Sequence, residues 1–224
     1  MTALITLSHG SRHPDAAASV EALTRAAAEL SGVPAVAAHL EFSAPTLEAA
    51  AQGLAARGEH EAVVVPLLFT EGYHQRVDVP AALDSAAASS GLTLRRARGL
   101  GTGEDMAHLL AARVPAEASK VVVYSVGSSD EGATAAVAEL ARRVGEIAGC
   151  DAEAAYATGP AASDPHRSPS GQHEVVVPLF VSPGLLLDRL DGGLTTASQR
   201  QVLPPLGTAL AEIVAQRYSE VAHA

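Results

Sequence analysis

Tryptophan is absent from these 224 residues, phenylalanine and tyrosine together make up 3%, and Cys150 is the only cysteine. A lone thiol excludes an internal disulfide and any cysteine-rich zinc or iron–sulfur site, and it makes a reducing cytoplasm the natural compartment. With so little aromatic bulk, a core built from the 48% hydrophobic residues has to consist of Ala, Val and Leu, which favours close packing of helices on sheet. No apolar run approaches the roughly 20 residues of a membrane-spanning helix, and no basic leader precedes the first apolar segment. The expectation is a soluble, cytoplasmic chain with no membrane partner. Basic residues are also in short supply: 15 Lys and Arg against 25 Asp and Glu give a formal charge of -10. The sequence pI is about 5.3. This balance argues against a nucleic-acid partner or an anionic surface. Any anionic ligand would have to be met by local arginines.

What is present alternates between strand and helix patterns. Leu4 to Leu7 reads as a short buried strand, followed by apolar positions Val20, Leu23, Ala27 and Leu30 at helical spacing. Val33 to Leu40 reads as a second strand, and Pro45 with Thr46 opens a helix carrying Leu47, Ala50, Ala51 and Leu54 on one face. Ala62 to Leu68 is apolar and β-branched without alternation, the pattern of a strand covered on both sides. Pro80 permits a helix start, Leu92 to Ala97 a strand, and Glu104 to Arg113 a helix. The fold class is α/β with a mostly parallel sheet flanked by helices.

The order begins again near Lys120. Val121 to Tyr124 leads into Ser125-Val126-Gly127-Ser128, matching Thr6 to Ser11 with Val126 in the place of His9. Val175 to Phe180 leads into Ser182-Pro183-Gly184, echoing Val63 through Gly72 with Leu186 in the place of His74. Two related domains are expected, 1–116 and 117–224, joined near residues 114 to 119. A helix from about Gly132 to Ala148 and a strand near Ala152 to Ala157 fall between the echoed segments, and the polar stretch from Gly159 to Gln172 reads as a mobile surface loop. The last helix, about Pro204 to Arg217, presents Leu206, Leu210, Ile213 and Val214 for packing. Both histidine positions are polar in the first copy and aliphatic in the second, so the chemistry belongs to the first copy. Val126 and Leu186 are read as packing residues.

His9 and His74 each follow a strand and sit beside glycine, in Ser8-His9-Gly10-Ser11-Arg12 and Gly72-Tyr73-His74. Imidazole is both the commonest protein metal ligand and a general base near neutral pH. These segments, with Leu40-Glu41-Phe42, Pro45, Val65-Pro66-Leu67 and Asp78-Val79-Pro80, resemble the class II chelatases in order and spacing. The resemblance is to the sirohydrochlorin chelatase branch in its long form, with two chelatase-like domains of which one is equipped for metal. It implies insertion of Fe²⁺, Co²⁺ or Ni²⁺ into sirohydrochlorin, on the route to sirohaem or cobalamin. It assigns His9 and His74 to metal binding and proton removal, with Glu41 as the acidic group beside them. Two imidazoles and a carboxylate suit a divalent ion that must be held loosely enough to be handed on.

Other residues carry weaker signals. The Gly10-Ser11 turn reads as structural, as one that lets backbone amides approach a carboxylate of the macrocycle, or as both, and Arg12 and Arg76 flank the histidines as candidate carboxylate binders. Asp78 either caps a helix or serves as a ligand, and Glu71 reads as exposed. The remaining histidines, His39 among them, read as surface or satisfied core. Arg95, Arg96 and Arg98 guard a strand edge. Gly99-Leu100-Gly101-Thr102-Gly103 lacks the spaced third glycine of a nucleotide loop, so no nucleotide is expected. A non-catalytic metal or tetrapyrrole carrier using the same histidines is the alternative function. Hydrolysis by Ser8 or Ser11 ranks last, because His9 interrupts any glycine-flanked nucleophile turn. A chain with both domains is compatible with a monomer.

Overall fold

Residues of β1 (Ala3–Ser8) and β3 (Glu61–Pro66) are buried without alternation because helices cover both faces of the sheet that holds them. The structure, a computed structural model, describes residues 2–72, 74–163, 173–191 and 200–224, with the backbone alone for residues 74, 75 and 191. The first sheet is parallel, in the order β2-β1-β3-β4, with β2 at Ala35–His39 and β4 at Thr93–Arg96. Because β2 lies on one side of β1 and β3 on the other, the direction of winding reverses between β1 and β3. The helices therefore fall on opposite faces. Ile5, Leu7 and Val64 pack with Leu47 and Leu54 of α2 (Leu47–Ala55) and Leu83 of α3 (Val79–Ser90). Thr6 points the other way, to Thr24 of α1 (Ala16–Ser31).

The second sheet repeats this order as β6-β5-β7-β8. Its strands are β5 (Lys120–Ser125), β6 (Asp151–Tyr156), β7 (Glu174–Pro178) and β8 (Arg200–Val202). The correspondence extends to single bonds. Leu67 donates its amide to Leu7 at 2.8 Å, and Leu179 donates to Tyr124 at 2.7 Å. The α/β reading and the repeat thus hold at the level of the backbone. The expected loop from Gly159 to Gln172 falls outside the described residues from 164 onward.

Two compact units emerge, one made of Met1–Gly101 with Gly207–Ala224 and the other of Thr102–Leu206. They differ from the boundary near 114–119 in where two helices go. The helix after β4, α4 (Glu104–Ala111), belongs to the second unit and packs on α5 (Glu131–Ala148). The helix that ends the chain, α7 (Ala211–Ala222), belongs to the first and packs on α1. Amphipathic spacing specifies that a helix face is buried, not which partner buries it. The terminal helix also begins later than the pattern suggests, since Gly207–Leu210 forms a 3₁₀ turn ahead of it. Leu206, Leu210, Ile213 and Val214 are all buried as expected. A short helix, α6 (Asp188–Asp191), completes the described elements.

Buried polar groups fasten the first unit. Thr24 donates its hydroxyl to the Val20 carbonyl at 2.8 Å, so the 2.6 Å contact between the two threonines is donated by Thr6. Arg217, fully buried on α7, donates to the carbonyls of Gly99 at 3.1 Å and Leu100 at 2.8 Å. The basic cluster on the β4 edge joins this attachment: Arg98 grips Glu220 with two 2.8 Å bonds, and Arg95 meets Glu61 at 2.6 Å. Removing the Arg217 guanidinium leaves two inward-facing carbonyls without their donors. Arg217→Met is expected to destabilise the protein by about 3 kcal/mol, read as a lower urea midpoint of the transition that includes α7.

His39, at the end of β2, is 1% exposed and places Nδ1 2.7 Å from the Ser8 hydroxyl. Among the described residues its Nε2 has no hydrogen-bond partner. Burial lowers its pKa below the ordinary 6.5, opposed in part by the charge of Glu21. The folded protein therefore releases the His39 proton more readily than the unfolded chain does, and stability rises with pH through this interval. As pH falls from 6.5 toward the depressed folded value, the unfolded chain gains protons first and stability is lost. His39→Phe should flatten the dependence of melting temperature on pH between 7 and 5, as measured by calorimetry across that range.

Candidate functional site

The hydrogen-bonded ladder between β1 and β2 continues two steps past the strands. Leu40 donates its amide to the Ser8 carbonyl and Glu41 to the His9 carbonyl, each at 2.9 Å. These bonds press the second loop onto Gly10. A Cβ at position 10 would lie 1.7 Å from the Glu41 carbonyl oxygen, and φ of Gly10 is +92°, so glycine is required both for space and for backbone angle. Polar side chains then close the loop on itself. Ser8 Oγ accepts from the Gly10 amide at 3.2 Å, while Ser43 Oγ accepts from the Ser11 amide at 3.3 Å and donates to the Ser11 carbonyl at 3.1 Å. The amides of Gly10 and Ser11 thus bond within the protein, and what these residues contribute to a site is the shape of the loop. That is the structural side of the reading of this turn.

Phe42 follows Glu41 with φ of +61°, and Ser43 donates its amide back to the Glu41 carbonyl at 2.7 Å. That is a three-residue turn with positive φ at its centre, an uncommon and strained form. It carries the Phe42 ring to His9, where the ring centroids are 5.9 Å apart and the planes 29° from parallel. The Arg12 guanidinium carbon lies 4.7 Å from the centroid of the same ring. His9, Gly10, Ser11, Arg12 and Glu41 are therefore brought together at the carboxyl ends of β1 and β2, with Glu41 and Arg12 exposed and His9 half-buried.

His74 and Arg76 leave the neighbouring strand. Leu67 is tied to β1, and seven residues later His74–Asp78 forms a π-helical turn that runs directly into α3. Such turns inside or beside helices are frequent at functional sites. The Arg76 amide donates to the Gly72 carbonyl at 3.2 Å, and the Arg76 side chain is exposed. Asp78 takes helical angles and its side chain makes no capping bond, so the helix-cap reading of this residue does not hold. Glu71 is exposed, as anticipated. The His74 ring lies outside the described side chains. Among the described residues, no group of three or more His, Cys, Asp or Glu is assembled around a common point.

The second unit repeats the backbone of this site without its chemistry. Ala157 donates to Ser125 and Thr158 to Val126, each at 2.9 Å, and a Cβ on Gly127, at φ of +89°, would lie 2.2 Å from the Thr158 carbonyl oxygen. Val126 occupies the His9 position and is 43% exposed. Its reading as a packing residue is corrected: a loop built to turn a side chain outward does so for valine as for histidine. Leu186, at the His74 position, does pack against a cluster that includes Tyr124 and Phe180.

Sequence reasoning assigned no role to Phe42, Ser43 or the Ser8–His39 pair. Phe42 lies in the Leu40-Glu41-Phe42 segment that carries the resemblance and is one of only three phenylalanines, and those were the signals available for it. Nothing in the sequence marks Ser43 as the clamp on Ser11, since the two are distant along the chain.

Comparison with known proteins agrees with this construction. The sirohydrochlorin cobaltochelatase of Sulfurisphaera tokodaii is 36% identical over 75 residues, 34% of this chain and 60% of that protein. The sirohydrochlorin cobaltochelatase of Saccharolobus solfataricus is 54% identical over 41 residues, 18% of this chain and 32% of that protein. The chain thus spans less than two thirds of the length of these relatives. Among solved structures, SirB from Bacillus subtilis with Fe³⁺ superposes with a TM-score of 0.79 at 20% identity, covering 98% of this chain and 95% of that one. SirB from Bacillus subtilis subspecies spizizenii in complex with cobalt gives 0.80 at 20% identity, covering 100% and 96%. At that identity the likeness is one of fold. The CbiX family model matches residues 3–117, half of the sequence and all the loops of the first unit's site. The chain belongs to the CbiX family.

Proposed function

We propose that this protein inserts a divalent metal ion, Fe²⁺ or Co²⁺, into sirohydrochlorin, with His9 as principal base and His74 as its partner. One observation supports this above the rest. The two histidines leave β1 and β3, the adjacent strands between which the winding of the sheet reverses. Open parallel sheets hold ligands in the crevice at the carboxyl ends of such a strand pair. At the same two positions of the second unit stand Val126 and Leu186.

The chemistry follows from what insertion requires. A divalent ion entering the macrocycle displaces two pyrrole protons, so the site must hold the ion and accept protons as it transfers. Imidazole nitrogen does both, and an open pair of imidazoles beyond the strand ends holds a metal more loosely than a closed set of thiolates. Glu41 adds negative charge that favours the ion and offers an exit for protons. Arg12 and Arg76 would meet the carboxylates of the substrate, and Gly10 and Ser11 would shape the floor against it. Ni²⁺ competes for the same donors. In this reading one polypeptide, as a monomer in the cytoplasm, does the work without a nucleotide, nucleic acid or membrane.

The test is turnover. Purified protein with Co²⁺ and sirohydrochlorin should convert the absorbance of the free macrocycle to that of the metallated one well above the rate in protein-free solution. His9→Ala is expected to lower that rate by roughly 100-fold or more, the scale of a lost general base, with the circular dichroism spectrum unchanged. Val126→Ala should leave it as it is. Binding of metal or macrocycle without any acceleration would sink the enzymatic reading and favour a carrier using the same histidines.

A further inference from the structure

Phe42 is 54% exposed, so it contributes little to the core, yet its backbone sits at φ of +61°, where a bulky side chain is strained. The second unit shows how the same backbone is made without that strain. By the two ladder steps beyond the strands, Leu40 corresponds to Ala157 and Glu41 to Thr158, so the equivalent of Phe42 in the second unit is Gly159. Gly159 has φ of +84°, the residue type and angle that such a turn favours. The copy with Val126 at its outward position has the glycine. The copy with His9 has a phenylalanine in a chain that uses only three.

The ring's contacts explain why. On the protein surface it touches His9 in a stacked arrangement and lies under the guanidinium of Arg12. An exposed arginine explores many rotamers unless something fixes it, and an aromatic face attracts the cation at this distance. Stacking similarly limits the swing of an imidazole on a loop. We propose that Phe42 is a positioning residue, which holds the His9 imidazole and the Arg12 guanidinium in one arrangement at the mouth of the first unit. The role rests on the metal-insertion reading: it keeps the base and a cation for a substrate carboxylate at a set separation.

Phe42→Gly separates positioning from structure, because it removes the ring while easing the backbone. Its melting temperature should equal or exceed that of the native protein, while kcat/KM for metal insertion falls at least 10-fold. Phe42→Tyr, which keeps the ring, should stay within about threefold of native. Independently of activity, the His9 Cε1 proton in NMR spectra should show a ring-current shift in the native protein and in Phe42→Tyr that disappears in Phe42→Gly. Native kcat/KM in Phe42→Gly would overturn the proposal, as would a His9 resonance unmoved by that substitution. If the native protein inserts no metal, the insertion reading falls, and the His9 resonance alone then decides whether Phe42 positions it.

Discussion

The close approach of the Gly10 backbone to the Glu41 carbonyl is the contact on which the rest of the site depends. It exists because the β1–β2 ladder continues through Ser8 and His9, and it can exist only without a side chain at position 10. Once it is made, His9 has no choice but to stand at the rim, and Glu41, Phe42 and Ser43 are carried to the same side. A parallel sheet fixes where strands end. This contact fixes what the loops do after they end, which is where ligand chemistry on such sheets takes place.

Duplication within the chain separates what that contact requires from what the chemistry requires. Both copies keep the glycine at positive φ, the two ladder steps beyond the strand, and the tie from the third strand back to the first. Those are demands of the backbone. Histidine, glutamate and phenylalanine stand in one copy, and valine, threonine and glycine in the other. Folding alone is satisfied by the second set, so the first set answers to something else. The comparison needs no outside reference, because both versions share one polypeptide and one solvent.

Strands β1 to β7, most helices and the loop that carries His9 were legible in the sequence, because buried strands leave apolar runs and glycine marks turns that nothing else can make, whereas the three-residue strand β8 (Arg200–Val202) and the π-helical turn at His74 carry no such pattern. Leu47, Ala50, Ala51 and Leu54 were placed on the buried face of α2 by spacing alone, and all four are buried. The partners of helices were not legible. The apolar stripe of α7 is plain, but only three dimensions show that its Arg217 serves the carbonyls of Gly99 and Leu100 in the first unit. Val126 was misjudged for a related reason: an aliphatic side chain suggests a core, whereas the loop geometry holds it in solvent. The pairing of Ser8 with His39 joins residues on two strands, and a sequence read one element at a time does not contain it.

The polar groups of the site divide into those that hold the loop and those that face outward, and this division is what lets a strained surface loop serve as a fixed platform. Ser8, Ser43 and the buried His39 spend their hydrogen bonds on the backbone or on one another. Were the amides of Gly10 and Ser11 left to solvent instead, the loop would be free to move between conformers, and His9 with it. A metal that must be bound and then released needs weak ligands, and weak ligands retain little power to organise their own surroundings. In the proposed reaction the organisation therefore has to come from groups that never meet the metal, and the groups placed to supply it are two serines, a buried imidazole and, on the inference drawn above, a phenylalanine in a costly turn.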